Sequence, residues 1–266
     1  MKSKVLYGSL ITLLVGVTVF AGCQIWKEQS EYKVGEDVYA EIGQLVEIPT
    51  KSLDQDLFSD ETQSEIIPPE PEDDTVWPEV DFAALTDINP DIVAWIYLEG
   101  TGINYPVVQG DDNSYYLKHL FTGEWNSAGC IFMDSRNNGD LSERNSIIYG
   151  HHMKNNSMFS SLDGYKKQEF YDEHPVVLIL TPEQNYRLEV FSAYVANVED
   201  SAWDLGITVA GYEDWLGEVC GKSCIASTVI PAVTDYVVTL SACSYEFNNA
   251  RFVVHGILRQ HRTENN

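Results

Sequence analysis

Short runs of β-branched, aromatic and aliphatic residues recur along the C-terminal two thirds of this chain, and they limit its fold more than any other feature. Turn sequences such as Gly110–Asn113 and Asn137–Asp140 separate several of them. Helical patterns are fewer, at Met158–Tyr171, Tyr212–Val219 and a short Phe82–Leu85 capped by Asp81. Many short strands with few helices are typical of a β-sandwich or barrel, so the predicted class is mainly β (α+β). The predicted strands are Ile103–Val108, Cys130–Met133, Ser146–Tyr149, Val176–Leu180, Tyr186–Tyr194, Tyr236–Leu240 and Phe252–Leu258.

The N-terminus resembles a membrane anchor. Lys2 and Lys4 precede an uncharged run from Val5 to about Cys23, which at about 1.5 Å per residue nearly spans a hydrocarbon core of about 30 Å. The basic residues favour a cytoplasmic N-terminus with the rest of the chain outside the cell membrane. We therefore expect an uncleaved, single-pass signal anchor. Cleavage after Ala21, or lipidation at Cys23 within Ala21-Gly22-Cys23, remains an alternative.

The region after the anchor is strongly acidic. The chain carries a formal net charge of -25, which argues against nucleic-acid binding because a phosphate backbone would be repelled. Residues 51–78 are acidic and include Pro68-Pro69-Glu70-Pro71, a composition that favours a linker or stalk. The predicted organisation is residues 1–26 as cytoplasmic tip and membrane helix, 27–79 as acidic juxtamembrane helix and linker, and 80–262 as the folded domain.

The five cysteines do not have the spacing of a small secreted disulfide framework. Cys130 lies in an apolar run and is predicted to be buried. Cys220 and Cys224 are compatible with a disulfide, with two metal ligands or with ordinary core residues. No second metal-spaced pair accompanies them, so neither a metal nor any other cofactor is expected.

Two reactive side chains each follow a predicted strand. Cys243 comes after Tyr236–Leu240, and His151 comes after Ile147–Tyr149 and Gly150. Either residue alone is more typical of a structural role. Together they are the parts of a Cys–His nucleophile system, in which the histidine transfers the proton.

Arg251 is the third candidate. It immediately precedes the predicted strand Phe252–Leu258 and is separated from Cys243 by a short predicted loop. A hairpin would therefore bring it beside the thiol. A guanidinium there can donate hydrogen bonds to a developing oxyanion. His152 is not expected to share a zinc ion with His151, since adjacent side chains point apart on an extended chain. His255 lies within the last strand and is interpreted as structural.

Several motifs resemble those of sortases. Thr239-Leu240-Ser241-Ala242-Cys243 with the downstream Arg251 looks like the sortase Thr-Leu-x-Thr-Cys signature, with Ala242 where Thr is common. Tyr149-Gly150-His151-His152-Met153 looks like the histidine motif of class B sortases. The resemblance extends from about Val80 to Leu258 and includes Asp81-Phe82, Asn89–Trp95, Asn104–Gly110, Asn113–Leu117 and Gly129–Asp134.

The resemblance implies an eight-stranded β-barrel with peripheral helices, and an enzyme that cleaves a C-terminal sorting motif on secreted proteins. The cleaved protein is held as a thioacyl intermediate and transferred to an amine of a peptidoglycan precursor or a pilin. By matching positions, Asn113, Leu117, Tyr149 and Ser241 would line the groove for the sorting motif. The segment from about Val198 to Thr228 looks like the loop that shapes specificity in class B members.

Protonation limits such an enzyme. Ordinary pKa values give about 3% thiolate and about 24% imidazolium at pH 7, so fewer than about 1% of molecules would hold both if the groups were independent. Slow turnover is expected unless the pair is tuned. Two rival functions remain at this point. One is another Cys–His acyl-transfer enzyme such as an L,D-transpeptidase, although the Ser-x-Gly-Cys setting is missing. The other is a non-catalytic membrane-tethered binding domain.

Overall fold

A closed eight-stranded barrel forms the centre of the computed structural model, which describes residues 2–49, 75–243 and 249–261. The barrel strands are β3 (Ile92–Tyr97), β4 (Asn104–Val108), β5 (Ile131–Met133), β6 (Asn145–Gly150), β7 (Val176–Leu180), β8 (Asn185–Asn197), β9 (Val237–Cys243) and β10 (Ala250–Gln260). The order around the barrel is β10-β8-β7-β3-β4-β5-β6-β9, and β9 pairs back with β10. The β4–β5 and β6–β9 pairs are parallel, and the remaining pairs are antiparallel. The predicted barrel is therefore confirmed.

One barrel strand, β3, was not among the predicted strands. Ala94 and Ile96 pack in the barrel core, whereas Ile92 and Trp95 pack in a second apolar cluster outside it. Because both faces of β3 are covered, its sequence lacks the alternation that identifies a half-buried strand.

Alternation along β9 separates core residues from the outer face. Val238, Leu240 and Ala242 belong to the barrel core, while Val237 packs in a cluster that includes residues of a peripheral helix. Successive side chains on a strand point to opposite faces. Cys243 therefore lies on the outer face of the barrel wall, at the C-terminal end of β9.

The helices are peripheral: α1 (Lys2–Ile42), α2 (Phe82–Ile88), α3 (Gln168–Glu173) and α4 (Val209–Gly221), with 3-10 turns at Gly43–Leu45, Tyr115–Leu117, Phe159–Lys166 and Ser201–Trp203. The Asp81 side chain caps α2 by accepting a hydrogen bond from the Ala84 N–H at 2.9 Å, and α4 contains its predicted range. A single helix over Met158–Tyr171 is wrong, because Lys167 adopts an extended backbone conformation between the 3-10 turn and α3.

The C-terminal half of α1 packs directly on the barrel. Tyr32, Val38 and Tyr39 contact the core cluster, and Ile42 is buried. Beyond α1, β1 (Val46–Glu47) pairs with β2 (Glu79–Val80), so the two ends of the acidic segment meet. Residues 50–74 of that segment lie outside the described residues. Direct packing, and not the length of the linker, therefore positions this half of α1.

Within the described part of the chain, no helix combines the length and the apolar character needed to cross a membrane.

Candidate active site

Strand register brings the three predicted catalytic residues together. In the antiparallel β9–β10 pair, Arg251 lies directly opposite Cys243. In the parallel β6–β9 pair, Gly150 lies opposite Ala242, so His151, the next residue, comes level with Cys243. The thiol thus lies between the guanidinium and the imidazole on the outer face of the barrel.

Gly150 permits the close packing that leads the chain to His151. A Cβ atom at Gly150 would lie 2.5 Å from Ile131 Cδ1 and 2.6 Å from Phe159, so any larger residue would displace the end of β6. Phe159 also fixes the following backbone, because its N–H donates to the His151 carbonyl oxygen at 2.9 Å. The glycine therefore has a steric reason to precede His151.

Cys243 and His151 are hydrogen-bonded and tune each other. The hydrogen bond from His151 lowers the pKa of the Cys243 thiol against the opposing effect of burial, and the positive charge of Arg251 lowers it further. The same hydrogen bond raises the pKa of His151, again against burial. The two pKa values approach each other, so thiolate and imidazolium coexist in more molecules than independent groups would allow.

A backbone carbonyl orients the His151 ring. His151 Nε2 lies 2.7 Å from the Leu117 carbonyl oxygen, and a carbonyl only accepts hydrogen bonds, which assigns a proton to Nε2. Leu117 ends the 3-10 turn Tyr115–Leu117. Asp112 stabilises that turn, since its Oδ1 accepts from the N–H groups of Ser114 at 2.6 Å and Tyr115 at 2.9 Å. The sequence singled out Leu117 for its side chain, but a backbone acceptor leaves no signal in the sequence.

Arg251 is held at the start of β10. One of its terminal nitrogens, Nη1, donates to the Ala250 carbonyl oxygen at 2.9 Å. A guanidinium carries five N–H donors in a planar fork, so it has further donors that can serve a substrate. The side chain is partly buried beside Cys243.

Two of the predicted substrate-binding residues meet at a buried carboxylate. The Tyr149 hydroxyl donates to Asp134 Oδ2 at 2.9 Å, and Asn113 is hydrogen-bonded both to Asp134 and to the Ser135 N–H, the latter at 2.8 Å. Arg136 donates two hydrogen bonds to the same carboxylate, from Nε at 2.8 Å and from Nη2 at 2.7 Å. Burial raises the pKa of Asp134, but these hydrogen bonds outweigh it and lower the pKa to about 2.

Sequence reasoning missed Asp134 and Arg136, although a signal was present. Asp134 immediately follows β5, which is the same strand-end position that drew attention to Cys243 and His151. The aspartate fixes the Tyr149 hydroxyl near the proposed groove.

The fourth predicted groove residue, Ser241, is buried against the specificity segment. Its Oγ accepts a hydrogen bond from Trp203 Nε1 at 3.2 Å, and its exposure is only 2%. Trp203 ends a 3-10 turn within residues 198–228. The part of the expected groove nearest Cys243 is therefore walled by Trp203.

The remaining cysteines in the barrel domain differ electrostatically from Cys243. Burial raises the pKa of Cys130 to about 12, and it also raises the pKa values of Cys220 and Cys224. Cys130 is buried, as predicted, while Cys220 and Cys224 are free thiols. Cys243 is the thiol of these four whose pKa is lowered. Across the described ranges, no cluster of three or more His, Cys, Asp or Glu side chains is arranged to hold a metal ion.

Comparison with known proteins identifies the family of this chain. The model of the sortase domain family matches residues 96–259. Sortase B of Staphylococcus aureus (strain NCTC 8325 / PS 47) is 41% identical over 176 residues, which cover 65% of this chain and 72% of the relative. Sortase B of Listeria monocytogenes serovar 1/2a is 31% identical over 262 residues, covering 97% and 99%.

A structural relative adds to the sequence matches. The structure of a Staphylococcus aureus sortase B–substrate complex is 39% identical, with a TM-score of 0.64 and coverage of 67% of this chain and 84% of that one. These matches favour neither an L,D-transpeptidase nor a non-catalytic binding domain. The chain belongs to the sortase family and is a cysteine transpeptidase.

Proposed function

We propose that Cys243, His151 and Arg251 carry the transpeptidation in this sortase. The observation that supports the assignment most is the register of three neighbouring strands, in which Cys243 lies between Arg251 on β10 and the residue that follows β6. The opposed pKa shifts of Cys243 and His151 add chemical support, since they favour a reactive thiolate next to a proton donor.

The first half-reaction forms the thioacyl enzyme. The Cys243 thiolate attacks the scissile carbonyl of the sorting motif, and Arg251 with nearby backbone N–H groups stabilises the oxyanion. The imidazolium of His151 then protonates the departing amine as the C–N bond breaks. The bond between the Cys243 sulfur and the acyl carbon replaces the peptide bond.

The second half-reaction releases the product. An incoming amine attacks the thioester, His151 accepts a proton from that amine, and the sulfur leaves as thiolate. The new amide joins the secreted protein to its acceptor. Sortases act on sorting-motif substrates and amine acceptors; for this enzyme we infer either a peptidoglycan precursor or a pilin as the source of the amine.

The sorting motif is proposed to bind along Asn113, Leu117 and Tyr149, while the buried Ser241 supports the groove through its hydrogen bond with Trp203. The hydrogen bonds of Asn113 and Tyr149 to one buried carboxylate support this groove, because they hold two polar side chains in fixed positions. A related sortase B, 39% identical, has been seen with its substrate. A peptide library varied at each motif position identifies the residues that the groove accepts.

A comparison of two cysteine variants tests the nucleophile. Cys243→Ala is expected to abolish both cleavage of a sorting-motif peptide and the thioacyl adduct detected by intact-protein mass spectrometry. Cys224→Ala is the matched control, because Cys224 is an exposed thiol whose pKa is raised. Activity that survives in Cys243→Ala, or an adduct that disappears in Cys224→Ala, would contradict the assignment.

We also propose that residues 1–26 anchor the enzyme in the cell membrane, with the acidic segment and the catalytic domain of residues 80–262 outside. The uncharged run after Lys2 and Lys4 supports this topology. Protease treatment of intact cells should then remove the catalytic domain while the N-terminus stays protected. Release of a mature form into the medium, starting after Ala21, would instead identify a cleaved signal peptide.

A further inference from the structure

We propose that the C-terminal turns of α1, centred on Tyr39, are a positioning element of the active site. They hold the two chain segments that fix His151. The first segment, residues 115–129, contains the carbonyl bonded to the His151 ring, and the second, residues 151–159, contains the His151 backbone and the N–H bonded to it. This inference rests on the proposed role of His151 in proton transfer. It concerns a helix that precedes the sortase domain match of residues 96–259.

The first segment carries the acceptor for the His151 ring. Gly129 has a φ of +60° and lies tightly against that acceptor, because a Cβ atom there would come within 2.9 Å of the Leu117 carbonyl oxygen. The Tyr39 hydroxyl donates to the Gly129 carbonyl oxygen at 2.6 Å. A shift of Gly129 would therefore move the carbonyl that orients His151.

Two more contacts fasten the same segment to α1. Asn126 Nδ2 donates to the backbone carbonyl oxygen of Glu31 at 2.8 Å. Gly35 also faces this segment, since a Cβ atom added there would lie at an ordinary contact distance of 3.5 Å from the Ala128 methyl.

The second segment carries the backbone of His151 and continues to Phe159. The Tyr39 ring packs edge-to-face on Tyr105, with ring centroids 5.2 Å apart, and the Tyr105 hydroxyl accepts from the Met158 N–H at 3.1 Å. Met158 has a φ of +57°, which a non-glycine residue adopts only when its surroundings hold it there. The next residue, Phe159, donates to the His151 carbonyl oxygen.

Two polar contacts on earlier turns of α1 support this second attachment. Asn155 Nδ2 lies 2.8 Å from Glu36 Oε1, and Lys154 Nζ lies 3.6 Å from Glu28 Oε1. The helix thus contacts both segments, the one that contains the hydrogen-bond acceptor of the His151 ring and the one that continues from the His151 backbone.

Tyr39 is the residue common to both attachments. Burial raises the pKa of its hydroxyl well above the usual range, so the group stays protonated and remains a donor at working pH. Loss of this donor would loosen the ring of His151 by shifting the Leu117 backbone. The Leu117 side chain is one of several proposed groove contacts, so KM should change less than kcat. Small errors in the placement of a proton-transfer group reduce the chemical rate more than they reduce binding.

The test uses the full chain and two tyrosine variants. Tyr39→Phe removes the hydroxyl but keeps the ring. Tyr165→Phe is the matched control, because its buried hydroxyl also donates to a backbone carbonyl, that of His174 at 2.7 Å, outside the proposed groove and outside residues 198–228. We expect Tyr39→Phe to lower kcat by about 10-fold with KM within about twofold. We also expect a higher pH midpoint for alkylation of Cys243 by iodoacetamide, read on its own peptide by mass spectrometry. Tyr165→Phe should change neither quantity.

Gly129→Ala gives a second, independent variant. The added methyl would press on the carbonyl oxygens of Tyr116 and Leu117, so a larger loss of kcat is expected. If both changes act through the Leu117 carbonyl, the double variant Tyr39→Phe/Gly129→Ala loses less than the product of the two single losses.

Three results would overturn the proposal: a folded Tyr39→Phe with normal kcat and an unchanged alkylation midpoint, equal effects of Tyr39→Phe and Tyr165→Phe, or a double variant whose loss equals the product. His151→Ala separates this proposal from the assignment on which it rests. An active His151→Ala enzyme refutes the role of His151 itself, whereas an inactive one beside a normal Tyr39→Phe refutes only the role of α1.

Discussion

Asp134→Asn is the substitution whose consequence for stability follows most directly from the structure. The side chain of Asp134 is fully buried, while that of its partner Arg136 is 61% exposed. The carboxylate accepts two hydrogen bonds from the Arg136 guanidinium and one from the Tyr149 hydroxyl. An amide keeps the size of the side chain but loses the charge, and it presents a donor where two acceptors are needed.

The pKa of Asp134 gives the size of the effect. The pKa falls from 3.8 to about 2, and at about 1.4 kcal/mol for each factor of ten in proton affinity this amounts to about 2.5 kcal/mol of folding free energy. Because the pKa is lowered in the folded state, this stabilisation is complete above about pH 4 to 5 and is lost as the pH falls from about 4 to about 2. Arg136 can reach water when its partner is removed, so the cost should stay near this value rather than reach that of a stranded buried charge.

Urea unfolding of the wild type and Asp134→Asn, at several values from pH 7 down to pH 3, measures the effect. We expect the variant to be less stable by about 2 to 3 kcal/mol at pH 7, and the difference should shrink below about pH 4. Groups that titrate equally in both proteins cancel in this comparison. Asp172→Asn is the control, because Asp172 is exposed and its Oδ1 accepts a hydrogen bond from the Gln168 side chain. The cost of this substitution should stay within about 0.5 kcal/mol.

A stability difference that stays constant from pH 7 to pH 3 would refute the reasoning, since the loss could not then come from the carboxylate charge. A cost for Asp134→Asn no larger than that of Asp172→Asn would do the same.

Three further predictions concern the active site and the core beneath it. Arg251→Lys keeps the charge but loses the planar fork, so kcat for peptide cleavage should fall by about 100-fold; near-normal turnover would remove the oxyanion role. His151→Ala should move the alkylation midpoint of Cys243 to higher pH, because the hydrogen bond that lowers the thiol pKa is lost. An unchanged midpoint would contradict the proposed interaction between the Cys243 thiolate and the His151 imidazolium. Burial lowers the pKa of His255 to about 3, so folding stability should decline as the pH falls below about 6.5. His255→Gln should reduce that decline in acid titrations followed by circular dichroism, and an identical acid profile would show that His255 does not contribute.

The sequence alone was sufficient for the strands that carry the reactive residues. The predicted runs that became β9 and β10 lie within the observed strands except at Tyr236, and the short loop between them placed Arg251 opposite Cys243. Such predictions succeed because residue alternation and hairpin connection are local properties, encoded within a few neighbouring residues. The family motifs then supplied the barrel and the reaction.

The pairing of His151 with Cys243 depends on the contact between β6 and β9, which local sequence patterns do not predict. The β6 and β9 strands are parallel and distant in sequence, so no turn links them and only the assembled barrel brings Gly150 level with Ala242. The tuning of the pair follows from that contact. A pKa shift depends on the distance between charges and on burial, and neither exists until the chain has folded.

The sequence by itself thus determined the fold class, the sortase relationship and the identity of the three candidate catalytic residues. Tertiary structure decided what orients and tunes them: the Leu117 carbonyl on the imidazole, the Asp134 carboxylate on Tyr149, and the α1 helix behind Gly129. The physical reason is that the sequence specifies the chemistry of each side chain. Every residue carries the same backbone carbonyl, so only the folded structure determines which carbonyl accepts a hydrogen bond from a functional side chain.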